Sequence, residues 1–131
     1  MKLTSFEELD CWKACRIVRN EVKLTIKKFP PEEKYALSDN MRRSSRSITD
    51  NIVEGFGRFH FQENIQFCRI SRGSLFELID QHITALDESY ITKDEYNDTR
   101  ELLNKAIGLL NGYINYLEKS KAKYKQSNIN K

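Results

Sequence analysis

Arg42, Arg43 and Arg46 lie within five positions of one another, and Arg58 closes the same stretch, RRSSRSITDNIVEGFGR. A guanidinium offers a flat fork of donors that matches phosphate or carboxylate. The chemistry on offer is therefore anion contact: phosphates of a nucleic acid, or acids across a subunit boundary, with a plain solvent role as the third reading. A second basic row, Lys13, Arg16, Lys23 and Lys27 with Asn20 among them, recurs at intervals of three and four. On a helix that spacing makes one flank. It reads either as a phosphate-tracking stripe or as a solvated face of ordinary lysines, with Asp10 and Glu21 diluting its field.

Other reactive residue types do not assemble into a catalytic pattern. Glu54 and Glu77 are the available acids and Cys11 or Cys15 the available nucleophile, yet neither set has a base with an orienting partner or a cradle for substrate. Three cysteines, Cys11, Cys15 and Cys68, cannot all pair, and two of them stack on one helix face, so they are expected to be reduced core thiols. Zinc would need further soft ligands, and His60 and His82 each stand alone. The Gly55-Phe56-Gly57 pair lacks the Gly-Lys-Ser/Thr of a phosphate loop. No catalytic residue, metal or cofactor is assigned, and the chain is expected not to be an enzyme.

Few breakers interrupt the elements that must hold these side chains. With five glycines and two prolines in 131 residues, long helices are the natural reading. Ser5 and Glu8 suit a capping box that opens helix one, whose seam is Cys11, Cys15, Val18, Val22, Thr25 and Phe29 before Pro30-Pro31 ends it. Helix two begins near Pro31, with Leu37, Met41, Ser44, Ile48, Ile52 and Gly55 on one face and Arg42 and Arg46 on the other. Small Ser44 and Ser45 admit a close neighbour and can bond back to carbonyls of their own helix. Gly55 and Gly57 end the helix in the left-handed conformation that glycine takes cheaply.

Helix three, from about 61 to 89, carries an apolar stripe of Phe61, Ile65, Cys68, Leu75, Phe76, Ile79, Ile83 and Leu86, with Phe67, Ile70 and Leu78 off its centre. Apolar residues on two sides suggest burial against a second subunit. Arg72 falls inside the stripe: buried, it needs a partner, because an unpaired buried charge costs on the order of 3 to 5 kcal/mol, and the other reading is that its long side chain snorkels out of the seam. Glu54 and Glu77 are the acids proposed for it, and with Asn51 these residues form an expected structural polar network. Helix four opens at Thr92 with Glu95, then repeats Tyr96, Leu103, Leu110 and Leu117 every seven residues. Gly108 and Gly112 within it imply close packing of another backbone.

Residues 1 to 118 thus read as one all-α domain, an up-down-up-down antiparallel four-helix bundle. Residues 119 to 131 form a lysine-rich C-terminal tail expected to be disordered. The tail holds five lysines and no acid, so removing it from the net charge of +3 leaves the body at −2. Any nucleic-acid contact must therefore come from local patches or from the tail. No apolar run approaches a membrane span or a signal-peptide core, and the chain is expected to be cytoplasmic.

Particular residues also resemble a known family, the four-helix-bundle proteins encoded by intervening sequences inside bacterial large-subunit ribosomal RNA genes, related to the accessory variability protein of diversity-generating retroelements. The resemblance rests on Phe6, Leu9 and Trp12, on Phe29-Pro30 with Glu33 and Leu37, on Arg42-Arg43 through Ser47-Ile48, Asn51-Ile52 and Glu54-Gly55, on Gly57-Arg58, and on Arg72-Gly73-Ser74 with Glu77. It spans roughly residues 6 to 117, departing at Ser44, Ser45 and Val53, where alanines are usual. It implies a non-enzymatic homo-oligomer, a pentameric ring with a basic surface, and its retroelement relative binds nucleic acid and a reverse transcriptase.

Two functions follow as expectations. One is a ring-forming adaptor that binds structured RNA or DNA by phosphate contact through Lys13, Arg16, Lys23, Lys27, Arg42, Arg43, Arg46 and Arg58. The other is a structural or protein-partner scaffold in which the same arginines sit at subunit contacts.

Overall fold

The computed structural model describes residues 3–129, and its four helices pack in sequence: α1 (Asp10–Ile26), α2 (Leu37–Gly57), α3 (Phe61–Asp87) and α4 (Lys93–Ile129). Each packs on the next and α1 closes against α4, giving the all-α up-down-up-down bundle. Among the described residues there is no strand, and no helix is long and apolar enough to cross a membrane.

The core is built from the expected seams. Val18 and Val22 of α1, Met41, Ile48 and Ile52 of α2, Ile65 and Leu75 of α3, and Leu103 and Leu110 of α4 are fully buried. Each such side chain contributes about 1.5–3 kcal/mol relative to exposure. Cys11, Cys15 and Cys68 are free and buried in the same core. Desolvation pushes all three thiols up to about 12, so they behave as inert apolar groups.

Helix boundaries differ from expectation at three places. Ser5 accepts the Glu7 N–H at 3.1 Å and starts a single 3-10 turn, Phe6–Glu8, rather than α1. Glu8 turns back to accept the Thr4 hydroxyl at 2.6 Å, so the Ser5 and Glu8 box is not formed. Buried Leu9 anchors the bend before α1. Pro31–Glu33 likewise make one 3-10 turn, and α2 begins only at Leu37. Glu33 ties that junction down: it accepts the Leu37 N–H at 3.4 Å and the Tyr90 hydroxyl at 2.8 Å. At the α2–α3 connection no glycine has positive φ; the residue that takes the left-handed conformation is Phe59, at φ 58°.

The buried face of α3 is centred away from the purely apolar stripe. Leu78 is fully buried, whereas Phe76 is 56% and Ile83 37% exposed. The reason is that α3 packs between α2 and α4, and its buried positions include Ser71, Ser74 and His82, which an apolar pattern discounts. Hydroxyls line the α2–α3 contact: Ser71 donates to the Ile48 carbonyl at 2.6 Å, Ser47 and Ser74 share a bond of 2.8 Å, and Gln81 donates to Ser44 at 3.2 Å. Ser45 bonds back to the Arg42 carbonyl at 2.8 Å, as its position in the helix suggested.

Gly108 and Gly112 do not receive another backbone, since an added Cβ at either would meet nothing within 4 Å. Gly55 is the glycine in close contact, against Asn64 and Phe67 of α3. The lysine-rich tail also departs from the expected disorder. It continues α4 through Ile129, while residues 130 and 131 lie outside the described residues. Lysine, alanine and glutamine are good helix formers and no breaker intervenes. Lys121 reaches Gln62, and the Tyr124 ring lies 6.2 Å from that of Phe61.

Candidate functional site

Where α1 lies beside α2, two adjoining cavities of about 230 and 420 Å³ share Lys23, Ile26 and Arg42 and form one groove. Arg19 and Lys23 enter it from α1 and Lys27 from the position that follows its last turn, Arg42 and Arg46 from α2, and Lys34 from the connection between them. None of its lining residues is acidic. Part of the apolar wall is Val22, Ile26, Phe29 and Pro30, which keeps the groove beside a low-dielectric surface. Like charges gathered in this way repel one another and favour an incoming anion.

Some of these cations are held in place and others are free. Arg19 is half-buried and donates to the Thr49 hydroxyl at 3.0 Å, while that hydroxyl donates to the Arg46 carbonyl at 3.2 Å. Arg42 lies 3.9 Å from Asp39, a weak contact because Asp39 sits closer, at 3.2 Å, to Arg43. Lys23, Lys27 and Arg46 are exposed and make no ion pair among the described residues.

Of the eight basic residues singled out from the sequence, Lys23, Lys27, Arg42 and Arg46 come together here, and the other four do not. Arg43 turns to Asp39 and to Asn40, at 2.8 Å. Lys13 lies 4.0 Å from Asp10 and lines a different cavity between α1 and α4, with Ile17, Leu102, Lys105 and Leu109. Arg16 sits over the Trp12 ring at 5.7 Å. Arg58 is at the α2–α3 turn, 2.8 Å from Glu54 and over the Phe67 ring at 5.3 Å. Sequence reasoning missed Arg19 and Lys34. Arg19 was available from its spacing of four with Lys23 and eight with Lys27; Lys34 carries no periodic signal, because the path of the Pro30-Pro31 connection alone places it.

The expected polar network is three separate sets of contacts. Asn51 donates to the Ser47 carbonyl and hydroxyl, each at 2.9 Å, and so joins the α2–α3 hydroxyl seam. Glu54 is engaged by Arg58, and exposed Glu77 has no bonded partner among the described residues. Arg72 is half-buried and donates to Asn111 Oδ1 at 2.8 Å, not to an acid. A neutral amide suffices because the guanidinium is only partly withdrawn from water, as a long side chain at the edge of a seam can be.

Among the described residues no group of His, Cys, Asp and Glu could hold a metal ion. What the groove can do is bind an extended anion by charge and hydrogen bonding.

Comparison with known proteins adds one match. The family model described as "23S rRNA-intervening sequence protein" matches residues 7–112, a span that contains α1, α2, α3 and most of α4. No curated protein matches the chain.

Proposed function

The chain belongs to the 23S rRNA-intervening sequence protein family, and within that fold we propose that it is a non-enzymatic, homo-oligomeric adaptor that binds nucleic acid mainly through phosphate contacts. The observation that carries the reading is the groove, where six cations from α1, α2 and their connection converge with no acid among the lining residues. Structured RNA or DNA is the partner class, because an extended row of phosphates matches cations spaced one helical turn apart. A cytoplasmic setting fits the three unpaired thiols.

The test is a salt series on a labelled RNA hairpin. Wild-type affinity should fall steeply with salt, and Lys23→Ala with Arg46→Ala should weaken binding and reduce the slope by about one unit per lost phosphate contact. Wild-type binding that does not respond to salt would sink the reading. Arg43→Ala, outside the groove, should leave the slope unchanged.

A second reading, a scaffold for copies of itself or for a protein such as a reverse transcriptase, is favoured by the exposed apolar side chains Ile70 and Phe76 on α3 and Ile17 and Leu24 on α1. The pentameric ring belongs to both readings.

A further inference from the structure

Phe59 is 86% exposed and stands in the left-handed backbone region, at φ 58°. Glycine takes that conformation at no steric cost, and a bulky aromatic there is an outlier. Neither burial nor backbone preference accounts for phenylalanine at this turn. Beside it opens a cavity of about 340 Å³ whose walls include His60, Phe61, Tyr113, Tyr116 and Leu117.

Its rings are held at different firmness. Asn64, nearly buried, donates to the Tyr113 hydroxyl at 3.0 Å and fixes that ring. Tyr116 lies nearly parallel to Tyr113, with 17° between planes and centroids 6.3 Å apart, and is 56% exposed. Lys119 and Lys123 follow Tyr116 by three and seven residues along α4, on the same flank of the helix, and both are exposed. Nearby acids are largely engaged: Glu54 by Arg58, and Glu118 by Arg69 at 3.1 Å. The described part of the chain beyond Glu118 carries no acid.

Exposed π-faces next to a run of cations are the two components by which single-stranded nucleic acid is bound: bases stack on the rings and phosphates follow the lysines. We infer that this aromatic mouth is a stacking site for unpaired nucleobases, on Phe59 and Tyr116, with the attached phosphates along Lys119 and Lys123. The inference rests on the nucleic-acid reading above but uses a different surface. The groove includes Lys34, at the connection that begins α2, and has one half-buried aromatic, Phe29; the mouth lies at the opposite end of α2.

Binding is measured by fluorescence anisotropy on oligo(U) of about 12 nucleotides, on an abasic oligomer of the same length, and on the RNA hairpin with its loop replaced by an abasic linker, so that it presents no unpaired base. Wild-type protein should bind oligo(U) more tightly than the abasic oligomer. Phe59→Gly, which suits the left-handed backbone, and Tyr116→Ala should each weaken oligo(U) binding about tenfold. Tyr116→Phe should retain it, and hairpin affinity should stay at the wild-type value in all three. The proposal is overturned if Phe59→Gly and Tyr116→Ala, melting as wild type, bind oligo(U) unchanged, or if the abasic oligomer binds as well as oligo(U). If the hairpin alone binds, the mouth is refuted and the groove stands; if neither RNA binds, both fall.

Discussion

A methyl group added at Gly55 would stand 2.7 Å from Asn64 Oδ1, 3.0 Å from Phe67 Cβ and 3.1 Å from the Asn64 carbonyl oxygen. Asn64 cannot easily yield, because its amide donates to Tyr113 and its Oδ1 accepts the Cys68 thiol at 3.5 Å. Gly55→Ala should therefore destabilise the bundle by about 1–3 kcal/mol, although alanine is the better helix former. Gly57→Ala, with open space around it, should be neutral or stabilising by up to about 1 kcal/mol. Urea denaturation of the two variants separates crowding from propensity, and equal effects would refute the crowding. The sequence marked both glycines as a pair that stops a helix. It placed Gly55 on the core face as well, but the partner that crowds it comes from α3, and no local pattern names that residue.

At the scale of elements, α3 shows where pattern reading runs short. Its length and helical character followed from composition and spacing, yet its centre was misplaced because buried positions include serine and histidine. His82 is fully buried, with Nδ1 2.5 Å from the Leu78 carbonyl and Nε2 without a partner among the described residues. A donated Nδ1–H leaves Nε2 as an unprotonated acceptor in a buried site. Burial holds the imidazole below its ordinary value of 6.5. As pH falls through that value the unfolded chain takes up a proton that the folded chain still refuses, so stability present above about 6.5 is lost progressively on acidification. Urea midpoints between about pH 7 and pH 5 should fall for the wild type and fall less for His82→Leu. An identical slope in both would remove His82 as the cause. Legibility was better for the groove: Lys23, Lys27, Arg42 and Arg46 were each visible as helix flanks, but which flank meets which is decided by the angle between α1 and α2.

For the whole molecule, four helices in order, their seams and their short connections could be read from seven-residue repeats and a handful of breakers. The reach of α4 could not, since a run of lysines reads as a solvated tail until a partner is seen, here Gln62 and Phe61. Nor could the surface left uncovered: Ile70 and Phe76 are 53% and 56% exposed, and Gly108 and Gly112 have open space beside them. If copies of the chain associate through α3, Ile70→Glu with Phe76→Glu should leave helical content intact and reduce the mass in solution to that of a single chain, measured by light scattering. An unchanged oligomer would exclude α3 from the contact.

The hydroxyl seam between α2 and α3 has a consequence for which arrangement of the two helices is allowed. Sliding α3 by one turn, about 5.4 Å, would still lay apolar residues on apolar residues. It would also part Ser71 from the Ile48 carbonyl, Ser47 from Ser74 and Gln81 from Ser44. Each polar group left buried without a partner costs about 1–3 kcal/mol. The serines thus act as a ruler, selecting one register among several that hydrophobic packing alone would accept.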